Sequence, residues 1–107
     1  MKGVNNMRGI IVKTDNTYEV IEYENTLDAL QEIVEGYIEY VTIDRGLAMI
    51  VNEEGLLRGM DYNKLASRFY AGPCIVGNAL IVGTKFGENI SLTDEQIELI
   101  INRLKEN

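Results

Sequence analysis

The stretch GNALIVGTKFG, residues 77–87, decides between two classes of fold. Its glycines, followed by Thr84 and Lys85, suggest a loop that cradles phosphate in a nucleotide-binding domain. A Walker-type loop needs four residues between its glycines and then Gly-Lys-Ser or Gly-Lys-Thr. Here five residues separate Gly77 from Gly83, and Thr84 precedes Lys85. Because the spacer NALIV is apolar and β-prone, we predict a strand that is entered and left through glycines.

The segment that follows carries the clearest helix signal of the chain. In LTDEQIELIINRL (92–104), Thr93 and Gln96 have the spacing of a capping box, with Leu92 and Ile97 placed as a hydrophobic staple. The apolar residues at helical spacing predict the buried face of this helix: Ile97, Ile100, Ile101 and Leu104. Before the glycine-flanked stretch, CIVG (74–77) is interpreted as a further β segment, broken from the next at Gly77-Asn78.

The first third of the chain changes from strand to helix periodicity. RGIIVKT (8–14) and TYEVIEYE (17–24) predict two strands, the first central and the second more exposed. NTLDALQEIVEG then predicts a helix over about 26–35, capped by Asn25 or Thr26. Gly36 is placed to end this helix in the left-handed conformation.

The middle of the chain predicts a hairpin and a short helix. YIEYVTID (37–44) and LAMIVN (47–52) flank a turn at Arg45 and Gly46. NKLASRFY (63–70) predicts a short helix that Asn63 caps. Together these segments predict an α+β domain over 8–105, a mostly antiparallel sheet of hairpins with about three short helices packed on one face. Residues 1–7 are expected to be a disordered lead.

Composition and charge exclude several kinds of chemistry. The chain has no His, so Ser–His and Cys–His catalysis and zinc sites built from His and Cys are excluded. Its single Cys74 is predicted to be a small buried hydrophobe. The net charge of −7 disfavours nucleic-acid binding. With no long apolar run or signal core, we expect no membrane insertion and a cytoplasmic location. No catalytic residue, cofactor or metal is expected.

After these exclusions, carboxylates and tyrosines remain as the candidate groups for binding a ligand or a partner. NEEG (52–55) places Glu53 and Glu54 beside Asn52, which suggests either a hard-cation site or, more simply, a solvated turn. The six tyrosines suggest either half-buried sheet residues or an aromatic surface for a partner or a flat ligand.

Four segments in this order resemble a known family: TLDALQEIVEGYIEYV, VNEEGLLRGMDYNKLAS, IVGNALIVG and SLTDEQ. They are similar to the domain of unknown function 3846, over residues 8 to 104. The shared parts are Gly36 with Ile38-Glu39, the turn 52–55, Asn63, and Gly77 with Gly83. Asn52 stands where the family often has Asp, which would weaken a metal site there. The resemblance implies a small accessory protein of bacterial phages or mobile elements, and it implies no activity.

The resemblance directs attention to two residues. Asn63 is either a helix cap or a partner contact, and Glu39 is either an exposed strand residue or part of a polar ligand site. We interpret both first as structural. The candidate binding residues are Glu39, Tyr40, Asn52, Glu53, Glu54, Arg58, Asn63 and Arg68.

The function predicted from these observations is non-enzymatic. The chain is expected to bind a host protein and so regulate or counteract a host process. A second hypothesis is a homo-oligomeric sponge for a small nucleotide signal, in which tyrosines stack on the base and Arg58 or Arg68 meets the phosphates. A third hypothesis is an acidic DNA mimic, and a hydrolase that uses carboxylates ranks last.

Overall fold

The computed structural model describes residues 6–106, which form six strands and three helices. Every strand pair is antiparallel, which confirms the predicted α+β class. Strand β1 begins inside the lead expected over residues 1–7, and residues 1–5 lie outside the described residues. In chain order the elements are β1 (Asn6–Val12), β2 (Tyr18–Glu24), α1 (Leu27–Val34), β3 (Ile38–Asp44), β4 (Leu47–Asn52), α2 (Lys64–Ser67), β5 (Ala79–Lys85), β6 (Glu88–Ile90) and α3 (Asp94–Lys105).

Strand β5 lies at the centre of the sheet, whose order is β2-β1-β5-β4-β3, with β6 also paired to β5. The glycine-flanked stretch is therefore a strand, as its apolar spacer predicted, but the strand continues through Gly83 to Lys85 and does not end at that glycine. The segment before it is not a strand, because Val76 forms only an isolated bridge with Tyr62. The backbone of this segment bonds instead to the loop before α2. The Gly77 N–H donates to the Asp61 carbonyl at 2.8 Å, and the Ile75 carbonyl accepts from the Asn63 N–H at 2.8 Å. Gly77 then turns the chain with φ +77°.

The helices cover both faces of the sheet, so the prediction of one covered face was wrong. Met49 and Ile81 face a core that α2 and α3 complete, whereas Ile50 and Leu80 face a second core with α1. The physical reason lies in the central strands, which are buried at every position over 48–52 and 79–83. Strands without polar alternation must be covered on both sides.

The terminal helix α3 begins as predicted. The Gln96 N–H donates to the Thr93 hydroxyl at 3.0 Å, and the Thr93 N–H donates to the Gln96 side chain at 2.9 Å. Leu92 is 1% exposed, and Ile100 and Leu104 are buried in the core. The capping box and the apolar stripe are thus both confirmed.

The end of α1 differs from the prediction. Glu35, and not Gly36, is the left-handed residue, with φ 65°. Gly36 is required for a different reason. A Cβ at this position would lie 2.6 Å from the Asn52 Nδ2 atom and 2.9 Å from the Arg58 Nη1 atom. Two side chains therefore reach over Gly36 to the end of α1.

Candidate functional site

Asn52 and Arg58 bind the carboxyl end of α1. The Asn52 Nδ2 group donates to the Val34 carbonyl at 3.0 Å, and Arg58 Nη1 donates to the Glu35 carbonyl at 2.6 Å. The last carbonyls of a helix lack partners within it and carry partial negative charge, so a cation is favourable there. Asn52 also accepts from the Glu54 N–H at 2.7 Å. Both predicted site residues therefore fix the turn after β4 against α1.

Asn63 is a polar residue with no accessible surface, and its side chain makes several hydrogen bonds. Its Nδ2 group donates to the carbonyls of Val12, at 2.9 Å, and Gly77, at 2.8 Å. Its Oδ1 atom accepts from the Ala66 N–H at 3.0 Å, which caps α2. The cap is as predicted. Asn63 also ties α2 to β1 and to the turn that enters β5, and it presents nothing to a partner.

Arg68 binds the carboxyl end of α3. Its Nη1 group donates to the carbonyls of Leu104, at 3.3 Å, and of Glu106. In return, Arg103 donates to the Arg68 carbonyl at 3.2 Å, and its guanidinium stacks on the Phe69 ring at 5.0 Å. Both arginines considered for phosphate binding, Arg58 and Arg68, thus hold helix ends.

A cleft of about 160 Å³ brings together three predicted residues, Glu39, Asn52 and Glu53. Glu54, Tyr40, Arg58, Asn63 and Arg68 do not line it. We call this cleft the acidic groove. Its other lining residues include Val41, Leu56, Tyr70, Cys74 and Val76.

Within the described residues, the carboxylates of the acidic groove form no ion pair. Among residues 6–106 the only ion pair joins Arg8 to Asp94, at 2.8 Å. Over the same residues, no cluster of three or more His, Cys, Asp or Glu side chains is placed to hold a metal ion. Glu39 and Glu53 are both exposed. The groove therefore offers negative charge beside an apolar floor.

Two further clefts flank strand β3. The helix groove, about 160 Å³, lies beside α3 on the same face of the sheet as the acidic groove and is lined by Ile43, Asp44, Leu47, Phe69, Leu99, Ile100 and Arg103. The tyrosine cleft, about 320 Å³, is lined by Tyr40, Thr42, Ala48, Thr84 and Gly87. Tyr40 and Thr42 alternate with Val41, so the tyrosine cleft lies on the opposite face. The Tyr40 hydroxyl donates to the Asn89 side chain at 3.0 Å.

A family model described as domain of unknown function (DUF3846) matches residues 7–105. The chain belongs to the DUF3846 family. The searches of curated proteins and of solved structures found no match. Within the described part of this DUF3846 chain, no helix combines the length and apolarity needed to cross a membrane.

The residues that carried the family resemblance support the fold of this DUF3846 chain. Gly36 makes room for Asn52 and Arg58, and Asn63 links three segments. Gly83 is needed because a Cβ there would lie 3.0 Å from the Ile90 carbonyl. Of the parts shared with the family, Glu39, Asn52 and Glu53 line the acidic groove, and the other parts support the scaffold.

Several groove residues were missed by sequence reasoning. Cys74 was predicted to be buried, but it is exposed at the acidic groove. The reason is local: it lies in the loop after α2, where Ile75 and not Cys74 enters the core. Leu56 is 66% exposed and Leu57 is 91% exposed. Two adjacent leucines in a glycine-bounded turn were the available signal for this surface.

The Tyr23 hydroxyl is the one buried side-chain polar group without a hydrogen-bond partner in the described residues. Burial, with a smaller effect from Tyr40, raises the pKa of Tyr23 to about 12. The folded state therefore holds this proton more tightly than the unfolded chain. The resulting stabilisation is present below pH 10 and is lost as pH rises from 10 through 12.

The variant Tyr23→Phe tests this assignment. At pH 7 it should change the free energy of unfolding by less than about 1 kcal/mol or stabilise the fold, since the lost hydroxyl has no partner. Above the usual tyrosine pKa, the wild type should lose stability with pH faster than the variant. Urea unfolding at a series of pH values measures both. A large loss at pH 7 would mean that the hydroxyl is hydrogen-bonded.

Proposed function

We propose that this DUF3846 domain is a protein-binding module that acts by contact, and that the acidic groove receives the partner. The observation that carries the proposal is the combination of an apolar floor, two unpaired carboxylates and neighbouring exposed apolar side chains. Leu56, Leu57 and Tyr37 are 66%, 91% and 61% exposed. Tyr37 is adjacent to a residue of the groove, since its carbonyl accepts from the Glu53 N–H at 2.8 Å. Exposed apolar residues grouped in this way are typical of binding surfaces.

The size of the groove favours a protein side chain over a small molecule. Its volume of about 160 Å³ is below the range of roughly 300–1,000 Å³ that ligand pockets occupy. Such a groove fits one or two apolar side chains. The carboxylates of Glu39 and Glu53 favour a partner that presents Lys or Arg beside those apolar residues.

The family resemblance supplies the proposed setting. The domain would be an accessory protein of a phage or mobile element, acting in the cytoplasm of a bacterial host. Its partner would be a host protein whose activity the contact regulates or counteracts. We favour this setting over the nucleotide-sponge hypothesis because the Nη1 atoms of Arg58 and Arg68 already donate to helix carbonyls.

Affinity capture from bacterial lysate with three forms of the domain tests the proposal. The test variant is Leu56→Arg, which places a cation and a long side chain in the acidic groove. The matched control is Leu27→Arg, at a residue that is 57% exposed on α1, across the sheet from the groove. We expect wild type and Leu27→Arg to retain the same host protein, and Leu56→Arg to retain at least about tenfold less of it.

Two results would contradict this function. The first is that no protein is retained reproducibly, and the second is that Leu56→Arg retains as much as the control. Thermal-shift measurements with cyclic and linear nucleotides identify the sponge, because a tight ligand raises the melting temperature by mass action. Competition with DNA for a captured protein would identify the DNA mimic.

A further inference from the structure

Strand β3 is an open edge of the sheet. Within the described residues it pairs only with β4, with Glu39 opposite Val51 and Val41 opposite Met49. The Glu53 N–H bonds to the Tyr37 carbonyl at 2.8 Å, which sets the phase of the ladder. In an antiparallel pair, hydrogen-bonded residues alternate along each strand.

The outward backbone groups of β3 follow from this phase. Glu39 and Val41 continue the series that Tyr37 begins and bond to β4. The residues that alternate with these direct their N–H and carbonyl groups away from β4, toward the open edge. They are Ile38, Tyr40 and Thr42. Three alternate residues of an incoming antiparallel chain could therefore be bonded through the backbone alone.

Three clefts include residues of β3 in their lining, and the order of these residues along β3 matches an extended chain. Glu39 and Val41 border the acidic groove, and Ile43 borders the helix groove on the same face. Glu39 and Ile43 are four positions apart, about 13 Å in a strand. Between them, Thr42 borders the tyrosine cleft on the other face. An added strand directs alternate side chains to opposite faces of the sheet, so its side chains would enter all three clefts.

We infer that the partner binds as an extended segment that adds a strand to the sheet along β3. This inference rests on the proposed function and specifies its mode. The segment carries an apolar residue for the acidic groove, with Lys or Arg beside it to meet Glu39 and Glu53. A second apolar residue, four positions along, fills the helix groove beside Phe69 and Leu99.

Charge selects the occupant, and the position of the clefts selects the edge. A second copy of the domain carries the same net charge of −7 and is repelled, whereas a basic segment is attracted. Strand β2 is also an edge and also carries carboxylates, at Glu19, Glu22 and Glu24, but none of the three clefts borders it. Backbone pairing is available at both edges, and side-chain recognition is available along β3.

The test uses a displayed library of random peptides of about ten residues, a length that covers an ordinary strand. Thr42→Pro removes an outward N–H while leaving the bonds to β4, and Thr42→Val is the matched control that keeps it. Selected peptides should share two apolar residues four positions apart and a neighbouring Lys or Arg. Thr42→Pro should weaken their binding at least about tenfold, and Thr42→Val should change it less than about twofold.

Amide hydrogen exchange on the wild type gives a second readout that needs no substitution. Bound peptide should slow exchange at the outward amides of Ile38, Tyr40 and Thr42. This measurement decides the matter even where Thr42→Pro fails to fold.

Several results would overturn strand addition. The inference is wrong when no peptide binds with a Kd below about 1 mM, when the selected peptides are acidic, or when the outward amides stay unprotected. A solution mass that doubles in wild type and not in Thr42→Pro would assign the edge to a second copy. Binding that is lost in Leu56→Arg but unchanged in Thr42→Pro would keep the proposed function and remove this mode of binding.

Discussion

Replacing Asn63 with Ala is expected to lower the free energy of unfolding by about 4 kcal/mol. The substitution leaves the carbonyls of Val12 and Gly77 without their partner in a site that has no accessible surface. Each unsatisfied buried group costs about 1–3 kcal/mol. Loss of the cap on α2 adds about 1 kcal/mol. A small domain has only about 5–15 kcal/mol in total.

Urea unfolding followed by circular dichroism measures this loss. The matched control is Asn102→Ala, the same substitution at an exposed position of α3, which should stay within about 0.5 kcal/mol of wild type. A second variant, Asn63→Asp, keeps an acceptor for the Ala66 N–H but cannot donate to either carbonyl. It should be at least as unstable as Asn63→Ala. If Asn63→Asp is as stable as wild type, the donor bonds do not hold the three segments together.

The elements that were predicted well are those whose signals are local. The α3 helix depends on Thr93 and Gln96, three residues apart, and on an apolar stripe within the same twelve residues. The central strand β5 was identified because a Walker loop needs a fixed order that Gly83, Thr84 and Lys85 do not have. In both cases the residues that determine the structure are close together in the chain, so their spacing in the sequence is enough to predict it.

The predictions were wrong where the local structure depends on residues that are distant in the sequence. Gly36 is a residue type that commonly ends helices, but here its lack of a Cβ makes room for Asn52, at the end of β4, and for Arg58, in the turn after it. The number of covered faces could not be derived from α1 and α3 separately. It is visible only in the uninterrupted burial of two neighbouring strands, over 48–52 and 79–83.

The acidic groove shows the same limit. Glu39 and Glu53 were predicted as candidates, and the structure places them together because Tyr37 bonds to Glu53 at the end of the β3–β4 hairpin. Tyr70 and Val76 enter from the segment after α2, and no spacing in the sequence relates them to Glu39. Asn52 lines the groove and, together with Arg58, holds the turn that carries Leu56 against the end of α1.

Replacing Leu80 with Ala is expected to lower the free energy of unfolding by about 3 kcal/mol. Leu80 has no accessible surface, and it lies in the core between the sheet and α1. Shortening it removes buried methyl groups and leaves a cavity that a central strand cannot close by moving. Ile81→Ala, on the opposite face beneath α2 and α3, should cost a similar amount. The matched control is Leu57→Ala, where the side chain is 91% exposed and the change should be within about 0.5 kcal/mol.

The comparison of the two neighbours tests the architecture as well as the packing. Adjacent residues of a strand point to opposite faces, so a sheet covered on one face would lose stability at only one of them. Equal losses at Leu80 and Ile81 require two cores of similar quality on either side of β5. A loss at Ile81 with little change at Leu80 would show that α1 does not bury its face of the sheet. In that case the Tyr23 hydroxyl, which shares the α1 core with Leu80, would reach water, and its pKa would return toward 10.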